Sequence, residues 1–312
     1  MAVPRPPLVT GATGFAGGHL VTHLLEHEPT VAAWANPAGQ RLAAQPRVEW
    51  SAVDLMNAAE VREALRCLQP PAIYHCAGAA DVGGSWVEPD LPLRVNVLGT
   101  LHLLDAVRVA APDARVLVVS SALVYRESAS ALDETAPIGP ATPYGWSKLA
   151  QEILALDRQA IVARAFNHAG PRQSPSYATS TFAKQIAEIE CGRRAPEIAV
   201  GNLDARRDIT DVRDVVRAYR LLMAEGQAGR PYNVCSGRAY RVGDLLESLV
   251  SMSRVEVTVR IDPARIRPID HPVLLGDGSR LRADTGWLPS IPIERTLADL
   301  LEYWRERTRT EA

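Results

Sequence analysis

Three glycines at a regular spacing near the start of the chain, Gly11-Ala12-Thr13-Gly14-Phe15-Ala16-Gly17, restrict its fold more than any other segment. They follow a short apolar run, Leu8-Val9-Thr10, that reads as a buried strand. They open onto His19 to His27, a stretch of helical length and spacing. Alone, such a run is only a tight turn. Between a strand and a helix it acquires a use, because small residues let the backbone approach a pyrophosphate and the unpaired amides at the helix N-terminus supply donors and positive potential for it.

The alternation continues. Val31-Ala32-Ala33-Trp34, Ala72-Ile73-Tyr74-His75 and Val116-Leu117-Val118-Val119 read as further short buried strands, with Ala58 to Leu68 and Val95 to Val109 as helices between them. Repeated strand-helix-strand units build a parallel sheet covered by helices, so the expected class is α/β with a Rossmann-type, doubly wound parallel sheet. A helix after Lys148 and a strand at Ala160-Ile161-Val162-Ala163-Arg164 extend the pattern. From Gly170 it loosens into segments rich in proline, glycine and arginine. With 312 residues, 47% of them hydrophobic, the chain is long enough for two lobes. The expected division is a dinucleotide-binding domain over 1–169, with returning segments near 208–235, and a smaller, mainly substrate-binding C-terminal lobe over 170–312. Leu297, Leu300, Leu301 and Trp304 recur at helical spacing near the end and read as core packing.

Charge excludes some partners. Lysine plus arginine number 34 against 36 acids, so no global excess advertises a nucleic acid or an anionic membrane, and any anion must be held locally. No apolar stretch approaches the roughly 18 residues that span a bilayer. Met1 to Pro7 is too short and proline-rich for a signal peptide, and a cytoplasmic protein is expected. Cys67, Cys76, Cys191 and Cys235 show no CxxC pairing, so buried thiols are expected rather than a metal site or a disulfide framework.

The GxxGxxG spacing of Gly11, Gly14 and Gly17 departs from the GxGxxG of the dinucleotide fold and resembles the extended short-chain dehydrogenase/reductase family. The resemblance implies an NADP or NAD cofactor lined by Gly11, Thr13, Gly14, Phe15, Ala16 and Gly17. Members typically carry an acid at the end of the second strand for the adenine-ribose 2′-hydroxyl. Here that strand ends Trp34-Ala35-Asn36. Asn36 can bond a hydroxyl or a phosphate, and Arg41 lies close enough in sequence to attract a phosphate, so the choice between the two cofactors stays open. Asp54-Leu55 matches the family's adenine-contacting pair, although an acid after a strand also serves as a helix cap. Ala77, Gly78 and Ala79, in His75-Cys76-Ala77-Gly78-Ala79, match the small-residue loop beside the cofactor, and Asn96 matches a structural asparagine.

Pro143-Tyr144-Gly145-Trp146-Ser147-Lys148 puts a tyrosine and a lysine four apart, on one helix face. A free phenol has a pKa near 10, and a nearby ammonium favours the phenolate, so Lys148 is expected to tune Tyr144. Hydride transfer to a carbonyl makes an alkoxide that needs a proton, which Tyr144 would give in reduction and take in oxidation. A bare YxxxK is common on solvated helices. Here it follows Val118-Val119-Ser120-Ser121-Ala122-Leu123-Val124-Tyr125, which resembles the family's fourth-strand motif and makes Ser121, rather than Ser120, the hydroxyl for the reacting oxygen. The resemblance thus implies the catalytic set Ser121, Tyr144 and Lys148, with the last two also touching the cofactor and with no metal. Sugar-nucleotide 4,6-dehydratases of the family have a glutamate two residues before the tyrosine that matches Tyr125. Leu123 stands there and takes no proton, which favours a reductase or an epimerase over a dehydratase.

Arg164-Ala165-Phe166-Asn167-His168-Ala169-Gly170-Pro171-Arg172-Gln173 resembles the family segment that contacts both nicotinamide and sugar nucleotide, with Asn167 toward substrate and His168 more plausibly a packing residue than a catalyst. Its Phe-Asn-His form is characteristic of the GDP-mannose dehydratase and GDP-4-keto-6-deoxy-mannose reductase branch. The stretch from Val200 to Asp214 resembles that branch's substrate segment. Arg207 is expected to fork onto phosphate, the alternative being a structural Arg-Asp pair, and Arg267 and Lys184 are further candidate cations. The resemblance therefore implies reduction of the C4 ketone of a nucleotide-activated 4-keto-6-deoxy sugar, GDP-4-keto-6-deoxy-D-mannose to GDP-D-rhamnose, by NAD(P)H in a homodimer. An NAD-retaining nucleotide-sugar 4-epimerase is the alternative, and a 4,6-dehydratase stands behind it.

Overall fold

A computed structural model describes residues 5–39, 45–265 and 272–310. The first half runs β1 (Leu8–Thr10), α1 (Phe15–Leu24), β2 (Val31–Ala35), β3 (Val48–Ala52), α2 (Ala58–Leu68), β4 (Ala72–His75), a short α3 (Asp90–Pro92), α4 (Gly99–Ala110), β5 (Arg115–Ser121), α5 (Pro143–Asp157) and β6 (Ile161–Ala165). The second runs β7 (Asn167–Ala169), α6 (Ala178–Glu190), β8 (Glu197–Val200), β9 (Arg206–Asp211), α7 (Val212–Glu225), β10 (Pro231–Val234), β11 (Ala239–Arg241), α8 (Val242–Ser251), β12 (Thr258–Ile261), β13 (Val273–Leu274), α9 (Ser279–Thr285) and α10 (Ile293–Thr310).

Seven strands form one sheet in the order β3-β2-β1-β4-β5-β6-β10, and every neighbouring pair is parallel. Their carboxyl ends share one edge. Winding reverses between β1 and β4, so the glycine turn after β1 opens at the crevice where ligands of such sheets bind. Helices cover both faces, which is why β1 and β6 are buried along their whole length. On one face α1 packs on α7 through Leu20, Val21, Leu24, Val215, Tyr219 and Leu222. On the other, Val61 and Leu65 of α2 meet Leu103 and Val107 of α4. Both α7 and β10 come from beyond residue 170 and complete this body.

The remaining strands make a small sheet around β9, which β7, β11 and β13 join, and a parallel pair, β8 with β12. Phe182, Ile186, Leu245 and Leu249 form its core with Leu297, Leu300, Leu301 and Trp304 of α10.

Local chemistry sets the helix ends. Thr142 caps α5 by accepting from the Gly145 amide at 3.0 Å, with Pro143 preset in the first turn. Asn57 caps α2 and Asp211 caps α7 in the same way. Three expectations shift, and one strand is found that was not expected. The first helix begins at Phe15 on the glycine turn and ends at Leu24, short of His27. The one expected from Val95 starts at Gly99, because Leu93–Leu98 is wound as a π-helix. Strand β3 lacks an apolar run, since it lies at the sheet edge with Glu49, Ser51 and Ala52 exposed. Cys67 and Cys191 are exposed, not buried, because the outer surfaces of α2 and the end of α6 carry them. Among the described residues no helix is long and apolar enough to cross a membrane.

Candidate active site

The glycine turn is shaped for close approach. Gly11 has φ +65°, and a Cβ there would lie 2.6 Å from the Ala77 Cα. A Cβ at Gly17 would meet the Gly11 carbonyl oxygen. Gly14 caps α1 with no side chain over it, so the first-turn amides, which have no acceptor within the helix, face the crevice. This cradle fits a dinucleotide pyrophosphate, with Thr13, Phe15 and Ala16 on its rim. The Phe15 ring stacks on His168 with centroids 5.6 Å apart and planes 4° from parallel, and meets His19 edge-on. His168 also bonds the Phe166 carbonyl, and burial holds its pKa below the ordinary value. Its ring thus packs between the glycine turn and the Asn167 segment.

At the ends of β2 and β3, Asn36 is exposed and accepts from the Ala38 amide at 2.9 Å. Asp54 accepts from the Met56 amide at 2.9 Å. It is not the cap of α2, a role that Asn57 fills. The Leu55 carbonyl holds the ring of His102, and Leu55 lies against Gly99. Arg41 and Arg267 lie outside the described residues.

Asn96 sits inward on the π-helical stretch. Its Oδ1 accepts from the Ala79 amide at 2.7 Å while its Nδ2 donates to the Ala79 carbonyl and to Ser147 Oγ. It thereby ties the Ala77-Gly78-Ala79 loop to α5. A Cβ on Gly78 would lie 2.6 Å from Asn96 Oδ1 and 3.7 Å from Lys148 Nζ.

The parity of β5 separates the two serines. Ser120 Oγ donates to Glu152 Oε2 at 3.0 Å, inside a buried group in which Arg164 pairs with Glu152 and donates to the Tyr125 hydroxyl, which donates in turn to Asn233. Ser121 faces the other way. Its Oγ accepts from the Leu123 amide at 3.1 Å and reaches the Tyr144 phenol. Tyr144 and Lys148 are both buried on α5, with Lys148 Nζ 5.9 Å from the phenol ring centroid. Nζ donates to the Val119 carbonyl and to Gln151 Oε1, each at 2.8 Å.

The electrostatics differ from the expected tuning. Burial pushes the Tyr144 pKa well up, helped by Tyr177, against the opposing hydrogen bond from Ser121. Desolvation of the phenolate wins, and Lys148 is itself desolvated, held down to about 8 by burial. Tyr144 is therefore a neutral phenol at pH 7, the form that donates a proton.

An open cleft of about 220 Å³ lies beside this site, lined by Asn167, Gln173, Thr179, Asn202, Arg207 and Arg265 among others. Arg207 Nη1 donates to the Arg206 carbonyl. The neighbouring Asp208 carboxylate accepts from the Ser236, Gly237 and Gly276 amides and the Ser236 hydroxyl. Lys184 is not brought to this cleft. It pairs with Glu188 at 3.6 Å and lies over the Trp304 ring, on the face of α6 that meets α10. Arg265, two positions from Arg267, is the cation that the sequence reading passed over. Its signal was weak, an arginine in Asp262-Pro263-Ala264-Arg265 with no motif around it.

A family model described as GDP-mannose 4,6 dehydratase matches residues 8–300. The chain is 37% identical to the GDP-6-deoxy-D-mannose reductase of Pseudomonas aeruginosa, over 97% of this chain and 98% of that one. It is 28% identical to the GDP-mannose 4,6-dehydratase sdnI of Sordaria araneosa, over 96% of this chain and 60% of that one. Among solved structures, RMD from Pseudomonas aeruginosa complexed with NADPH superposes with a TM-score of 0.85 at 33% identity, covering 97% of this chain and 99% of the other. The Thermus thermophilus UDP-glucose 4-epimerase complexed with NAD gives 0.85 at 27% identity, covering 96% and 99%.

Proposed function

The chain belongs to the GDP-mannose 4,6-dehydratase family of nicotinamide-dependent nucleotide-sugar enzymes, and from that premise we propose that it reduces the C4 ketone of GDP-4-keto-6-deoxy-D-mannose to GDP-D-rhamnose. The observation that carries this reading is Leu123. The position that holds the proton-abstracting glutamate in the dehydratases has an aliphatic side chain, and the acid nearest to Lys148 along α5, Glu152, is bound to Arg164. The near relative that reduces rather than dehydrates points the same way.

The nicotinamide, when bound, supplies the hydride. Ser121 Oγ accepts from the Leu123 amide and is hydrogen-bonded to the Tyr144 phenol, so the two hydroxyls stand together to meet the substrate oxygen. Tyr144, neutral at pH 7, gives its proton to the developing alkoxide. Lys148 contributes positive charge beside the phenol and holds the cofactor ribose. Gly11, Thr13, Gly14, Phe15, Ala16 and Gly17 take the pyrophosphate, and Asn36, Asp54 and Leu55 the adenosine end. Ala77, Gly78, Ala79 and Asn96 shape the wall beside Lys148. Asn167 and Arg207, joined by Arg265, take the sugar nucleotide's diphosphate. In this reading residues 1–169 with the segments near 208–235 hold the cofactor, and the rest of 170–312 holds the nucleotide. β2 is followed by Asn36 rather than an acid, so no carboxylate at that position repels a 2′-phosphate, and NADPH is the proposed donor. A homodimer belongs to the same reading, with Trp146 and Ile153 of α5 exposed for it to cover.

The test is to mix purified protein with GDP-4-keto-6-deoxy-D-mannose and NADPH or NADH, follow nicotinamide absorbance, and identify the sugar. Loss of absorbance with GDP-D-rhamnose as product is expected. Unchanged absorbance with both cofactors ends the reductase reading, and interconversion of sugar nucleotides without added reductant replaces it with the epimerase.

A further inference from the structure

Of the 34 lysines and arginines, only Lys148 and Lys184 are lysines. Every other basic position is arginine, which makes the retention of lysine at 148 a chemical choice. An ammonium has three N–H donors on one small head, and its pKa moves on burial, whereas a guanidinium stays charged. How the three donors are spent decides what Lys148 does.

Two are taken, one by the Val119 carbonyl and one by Gln151 Oε1. Gln151 is fully buried, one helical turn from Lys148, and its amide is oriented by a chain of neutral groups. Its Nε2 donates to Thr100 Oγ1 at 2.7 Å, Thr100 Oγ1 bonds His75 Nε2 at 2.8 Å, and His75 Nδ1 bonds Thr10 Oγ1 at 2.8 Å. Thr10 Oγ1 in turn accepts from the Ala77 amide. Thr10, His75 and Thr100 are each 0–1% exposed, so no solvent competes for these bonds. Rotating the Gln151 amide by half a turn would put an NH2 against an ammonium. The orientation is therefore fixed.

We propose that Gln151 is the positioning residue for Lys148: it aims the ammonium so that one N–H is left for the cofactor and the Tyr144 side, and, being neutral, it does so without quenching the charge. The proposal rests on the reading of Lys148 as part of the catalytic set. Around Lys148, the other titratable groups are Tyr144 on α5, His75 at the end of β4, Cys76 just after it, and Tyr219 of α7 beyond them. Glu152, next to Gln151, faces Arg164 on the opposite side. Burial and Lys148 hold the His75 pKa down to about 3, so the chain behind the ammonium carries no charge of its own.

Two lysines make a direct test practicable. Protein labelled with 15N-lysine gives two side-chain signals, and Lys184→Arg leaves that of Lys148. Titrated without sugar or cofactor, Gln151→Leu is expected to lower the Lys148 pKa by one unit or more, because a buried ammonium loses an acceptor. Gln151→Glu is expected to raise it by at least as much. Thr100→Val, which removes the hydroxyl that orients the amide, should move it in the direction of Gln151→Leu. In turnover, the same variants should lower kcat tenfold or more with little change in KM for the sugar, and displace the pH profile in opposite directions for leucine and glutamate. Unshifted titrations in the variants that fold, judged by wild-type circular dichroism, overturn the proposal. Since the titration needs no substrate, a protein that fails to reduce the keto-sugar overturns only the reductase reading.

Discussion

Ser120 and Ser121 are adjacent in the chain and have opposite duties. One is committed to Glu152 within a buried ionic group, and the other has a hydroxyl aimed at Tyr144. Removing each should therefore fail differently. Ser120→Ala leaves Glu152 short of a donor and is expected to cost about 1–3 kcal/mol of stability with the rate nearly unchanged. Tyr144→Phe keeps the ring and its packing but removes the transferable proton, so kcat for ketone reduction should fall by about 10²–10⁴-fold while NADPH binding is preserved. Thermal melts with steady-state kinetics separate the two outcomes. At this scale the sequence was informative wherever a residue's neighbours form an ordered pattern, as with Gly11, Ser121 and Tyr144. It was uninformative for Gln151, whose partners Thr100, His75 and Thr10 come from three other elements.

Helix α5 carries both Tyr144 and Lys148, and its start is fixed by Thr142, 5% exposed and bonded to the Gly145 amide. Thr142→Ala is expected to cost about 1 kcal/mol, a loss of roughly 1–2 °C in Tm, with a larger effect on kcat than on the KM for NADPH because the phenol lies in the first turn. Scanning calorimetry and initial rates measure the two. Elements were legible when burial gave them a period. The strands β1, β2, β4 and β5 stand out as apolar runs, and α10 through its four buried anchors. An exposed edge strand such as β3 shows no such run, since half of it meets water. Lys184 illustrates a different limit: its residue type marks a candidate cation, but only α10 and Trp304 decide which way that face of α6 looks.

Taken as a whole, the molecule is stitched across its centre by His75, which joins β4 to Thr10 of β1 and to Thr100 of α4. Its pKa is held to about 3 against an ordinary 6.5. Between those values the unfolded chain binds a proton that the folded one refuses, so stability is full above pH 6.5 and is lost progressively as pH falls toward 3. The loss from this group approaches about 1.4 kcal/mol per pH unit. Urea midpoints at pH 7.5, 6.0 and 5.0 should fall more steeply for the wild type than for His75→Gln. The sheet order carries a consequence of another kind. Because β10 closes the edge of β6 and α7 covers the apolar face of α1, the cofactor-binding half is unfinished until residue 234 has left the ribosome. A nascent chain released at residue 169 would expose Leu20, Val21 and Leu24 together with an unpaired strand, and it should collect in inclusion bodies, whereas the full chain should not. Synthesis and assembly of this enzyme thus run on different clocks: the part made first is among the last to be complete.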